Sequence, residues 1–417
     1  MMRVTCAALA AALFCVCYSG AGGGTIAAWT EMVGETQEIR VIATDSCPSA
    51  EVDGTAVPLA LRSAADQDFP VLTCQALVPK GAQRLTVDGR SLAALAAEVK
   101  RIVVLGDTGC RLKGLFVQDC NDPAAWPFAA IAAQAATEKP DLLIHVGDYY
   151  YRESACPSGR EGCAGSPYGD NWAAWKADFF DPAQPLLGAA PWILVRGNHE
   201  QCGRGGLGWF RFLDAGPAPL ACPAAEAPFT VTLGPLHLFV LDSADTEDAG
   251  APPAKVAAFR SQLAAIKPLD QSGAGWILTH RPFWGFVPPG AGELGESDEL
   301  PTNRTEQAAA QDDPLSGVQM ILSGHVHIFS ASDFGGARPS QLIVGVSGDT
   351  RDGAQAELQS RRVTIAGLAA STEVVEQFGY VVLDRIAEGW DATLKRPDGV
   401  AIAACTIRGR ALQCRSV

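Results

Sequence analysis

The sequence predicts an α/β core preceded by a small N-terminal β domain. Three observations carry that expectation. From Val99 onward, short apolar runs alternate with Ala-rich stretches of helical spacing, which is how strands and helices layered over one core read. From about Thr25 to Leu95 only β-like pieces occur, cut by Pro, Gly and Asp. The apolar runs of the second part end repeatedly in Gly followed by Asp, Asn or His, and α/β sheets bind ligands beyond the carboxyl ends of their strands. The expected division is 1–21 as a leader, 25–97 as the β domain and 98–417 as the catalytic domain.

Taken in order, the leader has one Arg, an apolar run from Val4 to Val16 and then small residues, the plan of a secretory signal cleaved near Ser19-Gly20-Ala21. That run is too short to span a membrane. The β domain contributes "EIRVIA", "FPVLTCQALV" and "QRLTVDG". "RIVVLGD" opens the core, and Asp122-Pro123 is expected to cap a helix running through Lys139. "DLLIHVGD" and "PWILVRGN" are the next strands, and "FTVTL" and "LHLFVLD" form a hairpin around Gly234-Pro235. A helix over "AKVAAFRSQLAAIK" and the strands "GWILTH", "VQMILSGH", "QLIVGVSGD" and "YVVLD" complete the set. Arg281 to Ser316 has little periodicity and is a candidate substrate loop.

Cysteine usage points to an oxidising compartment. Three of thirteen cysteines fall in the leader, and the other ten form close pairs: Cys47/Cys74, Cys110/Cys120, Cys156/Cys163, Cys202/Cys222 and Cys405/Cys414. In "CTIRGRALQC", a two-residue turn at Gly409-Arg410 sets Cys405 opposite Cys414 at a non-hydrogen-bonded position, where side chains lie closest. No C-x-x-C pair occurs among the ten, which disfavours the zinc-site alternative. The net charge of -14, with no basic stripe, argues against a general nucleic-acid or anionic-membrane partner, and no membrane association beyond an uncleaved signal is expected. Oligomeric state is not legible.

The chemistry lies in a constellation. Five strands end in metal-ligand types: Asp107, Asp148, Asn198, His280 and the pair His325/His327. Each alone has an ordinary explanation as a turn former, cap or core-edge residue, and His237 keeps that explanation. Together they point to a metal site, because four of the six histidines fall in "GNHE", "ILTH" and "GHVH". Hard oxygens with imidazole and no thiolate suit iron, zinc or manganese. The set is too large for one tetrahedral zinc, whereas two ions sharing a carboxylate are typical of phosphoester displacement. "HVGDYYY" then raises a question, since half of the six tyrosines follow Asp148 directly.

"GDTG" (106–109), "GDYYY" (147–151), "GNHE" (197–200), "ILTH" (277–280) and "GHVH" (324–327) resemble the five ordered motifs of purple acid phosphatases, within the calcineurin-like metallophosphoesterase superfamily. The resemblance covers roughly 100–385 and implies a four-layer α/β/β/α sandwich with mixed sheets. Many superfamily members carry a ligand histidine where Gly109 stands; here the resemblance gives that duty to Tyr151, a phenolate suited to ferric iron. It implies a ferric site of Asp107, Asp148, Tyr151 and His327, and a divalent site (Fe, Zn or Mn) of Asp148, Asn198, His280 and His325. Asp148 would bridge the two. His199 would face the phosphate or leaving group, and Glu200 is a candidate to orient it, with an ordinary solvated carboxylate as the equal alternative. Tyr149 and Tyr150 are read as strand-end packing, and His145 as a buried polar residue, with support of a ligand as its alternative.

The resulting expectation is an exported acid phosphatase that hydrolyses phosphate monoesters by attack of a metal-bound hydroxide. The alternatives are a phosphodiesterase or nucleotidase using the same ions, and a non-catalytic binding protein that keeps the motifs. The histidine that family members often place after the fourth motif is absent. Trp284 and Phe286 could stack on a substrate ring but are read as loop packing. Glu293, Glu296, Asp298 and Glu299 would repel highly phosphorylated substrates if they face the site.

Overall fold

The structure, a computed structural model, describes residues 24–267, 273–285, 303–312, 315–351 and 356–417. The expected leader, Phe286 and the four acidic residues of 293–299 lie outside the described residues.

Two large sheets face each other. The first has eleven strands in the order Ala411–Ser416, Ala401–Arg408, Gly389–Lys395, Tyr380–Ile386, Arg101–Leu105, Leu142–His145, Trp192–Leu194, Thr25–Val33, Thr36–Ala43, Leu72–Leu77 and Ala60–Ser63. The second has eight: Phe229–Leu233, Leu236–Val240, Gly275–Leu278, Val318–Ser323, Ser340–Val344, Phe329–Asp333, Leu368–Val375 and Gln359–Ile365. Both mix a parallel centre with antiparallel flanks.

Alternation along the central strands explains the layering. Ile102, Val104 and Ile144 of the first sheet pack against Leu238, Trp276 and Leu322 of the second in one buried cluster. Their sequence neighbours Val103, Leu105 and Leu143 point to the opposite face, against the helix Phe128–Thr137 and the aromatics Trp175 and Phe179. Phe239, Ile277 and Ile321 likewise face the helices Pro253–Ile266 and Arg304–Ala310. Strands apolar on both faces are those that helices cover on one side and another sheet on the other. The fold is therefore the four-layer α/β/β/α sandwich with mixed sheets.

Parallel register is what makes the strand ends converge. Leu105, His145 and Leu194 are aligned across the first sheet, and Leu278 and Leu322 across the second. Asp107, Asp148, Asn198, His280 and His325 each follow within a few residues of those positions, so all emerge at one end of the sandwich.

Two expectations need adjusting. The first core helix starts at Phe128, not Asp122. Asp122 instead caps a turn, its Oδ1 accepting from Ala124 N at 2.8 Å. Pro127 cannot sit inside a helix, so the helix begins just after it. Within the expected loop Arg281–Ser316 there is a helix, Arg304–Ala310, whose cap Asn303 adopts φ 59° and accepts from Glu306 N at 3.0 Å. Residues 25–97 form β-strands and their connections. Four of their strands continue the large sheet, through parallel pairing of Glu31 with Trp192, and the rest form a four-stranded sheet.

All five cysteine pairs are disulfides. Cys405 and Cys414 are directly opposed, Arg408 pairs with Ala411 around the expected turn, and the Cα atoms are 3.9 Å apart.

Candidate metal centre

The seven positions singled out in the sequence meet in two overlapping groups. In the first, Tyr151 Oη lies 3.1 Å from Asp107 Oδ1, 2.8 Å from Asp148 Oδ2 and 3.1 Å from His327 Nε2. His327 Nε2 is in turn 3.5 Å from Asp107 Oδ1. In the second, His280 Nε2 is 3.2 Å from Asp148 Oδ2 and 3.0 Å from Asn198 Oδ1. Asp148, His280 and His325 each offer a donor atom within 4.8 Å of the others. Asp148 is common to both groups.

Local backbone aims these side chains. Asp107, Asp148 and His325 adopt φ 55°, 61° and 72°, a conformation that L-residues rarely hold unless their surroundings impose it. Close approach does the rest: a Cβ on Gly197 would come within 2.1 Å of Asp148 Oδ1. Gly109 explains the choice of tyrosine. A Cβ there would lie 2.8 Å from the Tyr151 ring, so a side chain at 109 and the phenol compete for one space.

The donor chemistry fits metal ions. A phenol has one proton to donate, yet Tyr151 Oη faces two carboxylates and an imidazole. Burial and the carboxylates of Asp148, Asp107 and Asp349 push that phenol well above its ordinary range, a cost that a cation would reverse. His280 tells the same story. Its Nδ1 donates to Val146 O at 2.8 Å, which leaves the Nε2 lone pair facing Asp148 and Asn198. Burial opposes its protonation, but the Asp148 carboxylate wins and raises it above the usual imidazole range. The site draws positive charge onto the atom a metal would use. His325 Nε2 rests 3.1 Å from both oxygens of Asp248 and 3.0 Å from Arg281 Nη1, so the ring is held between a carboxylate and a guanidinium.

His199 sits beside the centre, its ring centroid 3.7 Å from that of Tyr151 and its backbone N donating to Asp148 Oδ1 at 2.9 Å. Its carboxylate partner is Glu153, 2.7 Å from Nδ1, and Arg204 Nη2 lies 2.7 Å from the same nitrogen. Glu200, the candidate orienter, does other work. Its carboxylate accepts from the backbone N–H of Asp148, Tyr149, Tyr150 and Gly197 at 2.9–3.1 Å, tying the second and third motifs together. Burial pushes His199 down to about 4, against Asp148 and with help from Arg204.

Tyr149 and Tyr150 are buried packing residues, with hydroxyls donating to Val195 O at 3.1 Å and Arg152 O at 2.7 Å. His145 pairs with Thr108 Oγ1 at 2.9 Å and stacks on Tyr149. His237 lies on the strand Leu236–Val240, away from the cleft residues. Trp284 packs on Phe283 and Phe334 under the Arg338 guanidinium.

A cleft of about 280 Å³ opens over the centre, at the lower end of the roughly 300–1,000 Å³ of small-molecule sites. Four cations line it: Arg111, Lys113, Arg204 and Arg281. Sequence reasoning missed them, and also Glu153, Asp248 and Asp349. Two had a readable signal. Glu153 follows Tyr151 by two residues, and Asp349 ends a strand in "SGD", as Asp107 and Asp148 do. Asp349 Oδ2 lies 3.4 Å from His327 Nε2 and is held by Arg111 Nη2 at 2.6 Å.

Residues 100–329 match the calcineurin-like phosphoesterase family over more than half of the chain. The chain belongs to that family. It is a metal-dependent phosphoester hydrolase, and the family implies a dinuclear divalent-metal centre. No curated protein matches the sequence. Among solved structures it is similar to the purple acid phosphatase PPD1 isolated from yellow lupin (Lupinus luteus) seeds. The two are 14% identical, with a TM-score of 0.61 over 94% of this chain and 74% of that one. It is also similar to PhoD, at 12% identity and a TM-score of 0.52 over 93% and 91%. At such identities the likeness establishes a shared fold.

Proposed function

We propose that the protein is an exported acid phosphatase that hydrolyses small phosphate monoesters. Asp107, Asp148, Tyr151 and His327 would hold ferric iron. Asp148, Asn198, His280 and His325 would hold a divalent iron, zinc or manganese, with Asp148 shared. The observation that carries this reading is the contact of the Tyr151 phenol with Asp107, Asp148 and His327. When bound, the two ions lower the pKa of a coordinated water and neutralise the phosphate oxygens.

The chain's own residues account for the rest. His199, steadied by Glu153 and Arg204, hydrogen-bonds the phosphoryl group or leaving oxygen. A group so positioned contributes roughly 10²–10⁴-fold when it transfers a proton. Arg204 and Arg281 reach the cleft from opposite motifs and orient the phosphate oxygens, each held by a carboxylate, Glu153 and Asp248 respectively. Residues 25–97 serve as scaffold and 98–417 carry the chemistry.

Export is supported by the disulfides, since every cysteine among the described residues is paired. The test is turnover of nitrophenyl phosphate against bis-nitrophenyl phosphate between about pH 4 and about pH 8, before and after chelation. The reading predicts a metal-dependent preference for the monoester with an acidic optimum. Preference for the bis-ester, or turnover that survives metal removal, would contradict it.

A further inference from the structure

Three of the four cations lining the cleft are answered by the protein's own carboxylates. Arg111 bonds Asp349, Arg204 bonds Glu153 and Arg281 bonds Asp248. Lys113 is different. It is exposed, lines the same cleft and has no carboxylate partner among the described residues. A charge left uncompensated beside an anion-binding centre is available to a ligand in a way the three arginines are not.

Its place is also built. Lys113 lies on a short hairpin, Leu112–Lys113 against Phe116–Val117, that turns at Gly114 with φ 58°. The Cys110–Cys120 disulfide closes the base of the hairpin. Leu112 is fully buried, and its N donates to Tyr151 O at 3.0 Å. Ser154 N donates back to Leu112 O at 2.9 Å, and Gly114 N donates to Ser154 Oγ at 2.8 Å. The residues on either side of Lys113 are therefore tied to the segment that carries Tyr151. Fixing the backbone leaves only the side chain to order when an anion arrives, which lowers the entropic cost of that contact.

We propose that Lys113 binds a second anionic group on the substrate. The preferred class is then a small phosphomonoester whose organic part carries a further carboxylate or phosphate. This rests on the phosphatase reading above and adds what that reading lacks, a basis for choosing among esters. Lysine is a compact charge on a flexible stem, so it accepts either anion without the geometry a guanidinium fork demands. A cleft of about 280 Å³ in which Lys113 is the one lining cation without a carboxylate partner among the described residues suits one extra anion, not a polyphosphorylated substrate.

The test measures kcat and KM on two matched pairs: phenyl phosphate with carboxyphenyl phosphate, and propyl phosphate with propanediol bisphosphate. Wild-type protein is compared with Lys113→Ala, Lys113→Glu and Lys113→Arg. The kcat/KM ratio of two-anion to one-anion ester should fall roughly three- to tenfold in Lys113→Ala, between the worth of an exposed ion pair and that of a charge-assisted hydrogen bond. The fall should sit in KM, deepen in Lys113→Glu and be restored in Lys113→Arg. The pair that responds tells carboxylate from phosphate. An unchanged ratio in both pairs, or Lys113→Arg behaving like Lys113→Ala, overturns the proposal while leaving the phosphatase reading intact. A wild-type protein that turns over neither phenyl nor propyl phosphate overturns the phosphatase reading itself.

Discussion

At the scale of single residues, the phenol decides what kind of centre this is. Tyr151 occupies the space a side chain at Gly109 would need and stands in contact with two carboxylates and an imidazole. Removing only its oxygen is the sharpest perturbation available. Tyr151→Phe should keep the fold, because the ring stays packed, but abolish visible absorption from a ferric–phenolate pair. An iron-loaded Tyr151→Phe protein with undiminished colour would rule the phenolate out. The proposed ligands were legible because each follows an apolar run and a short polar motif. The residues that steady them were not. Asp248 lies in a loop without periodicity, Arg204 becomes a neighbour of the centre only through folding, and Arg281, although it follows His280 directly, opens a segment with no motif to mark it. Glu200 shows the opposite failure: next to His199 in sequence, it is spent on backbone N–H groups.

At the scale of elements, strands were legible and their junctions less so. Continuous apolar runs mark buried parallel strands whatever surrounds them. Helix starts depend on a single proline, as at Pro127, and a seven-residue helix such as Arg304–Ala310 has too few turns to show a period. The junction that matters most is the one Glu200 holds between the strand ends at 148–150 and 197. Glu200→Ala leaves four buried N–H groups without that acceptor, each costing roughly 1–3 kcal/mol if unpaired. The variant should lose at least about 3 kcal/mol in denaturant unfolding, together with its affinity for metal. A midpoint equal to wild type would show that the carboxylate is dispensable to the junction.

At the scale of the whole molecule, the join between the N-terminal strands and the catalytic sheet was the least legible feature. It rests on one parallel pairing, Glu31 with Trp192, on apolar packing of Trp29 and Phe69 against Phe180 and Phe212, and on buried charges that no local pattern announces. Glu31 contacts Arg40 at 2.8 Å, and Arg40 also donates to Phe212 O and Asp214 O across the join. Burial outweighs Arg40 and pushes Glu31 up to about 7. A carboxyl raised in the folded state contributes stability that is complete below its ordinary value of 4.5 and is lost as pH rises through about 7. Thermal unfolding should therefore show a more stable protein near pH 5 than near pH 8, and Glu31→Gln should flatten that slope. An unaltered slope in Glu31→Gln would place the titration elsewhere. Such a bias toward acid suits the proposed working environment. The proposed activity depends on the caging of two metal ions by side chains gathered from five strand ends. Elemental analysis of active protein, read together with its visible spectrum, tests that most directly. About two metal atoms per chain, iron among them, with visible absorption, are expected. Full activity with fewer than about one metal atom per chain would contradict that dependence.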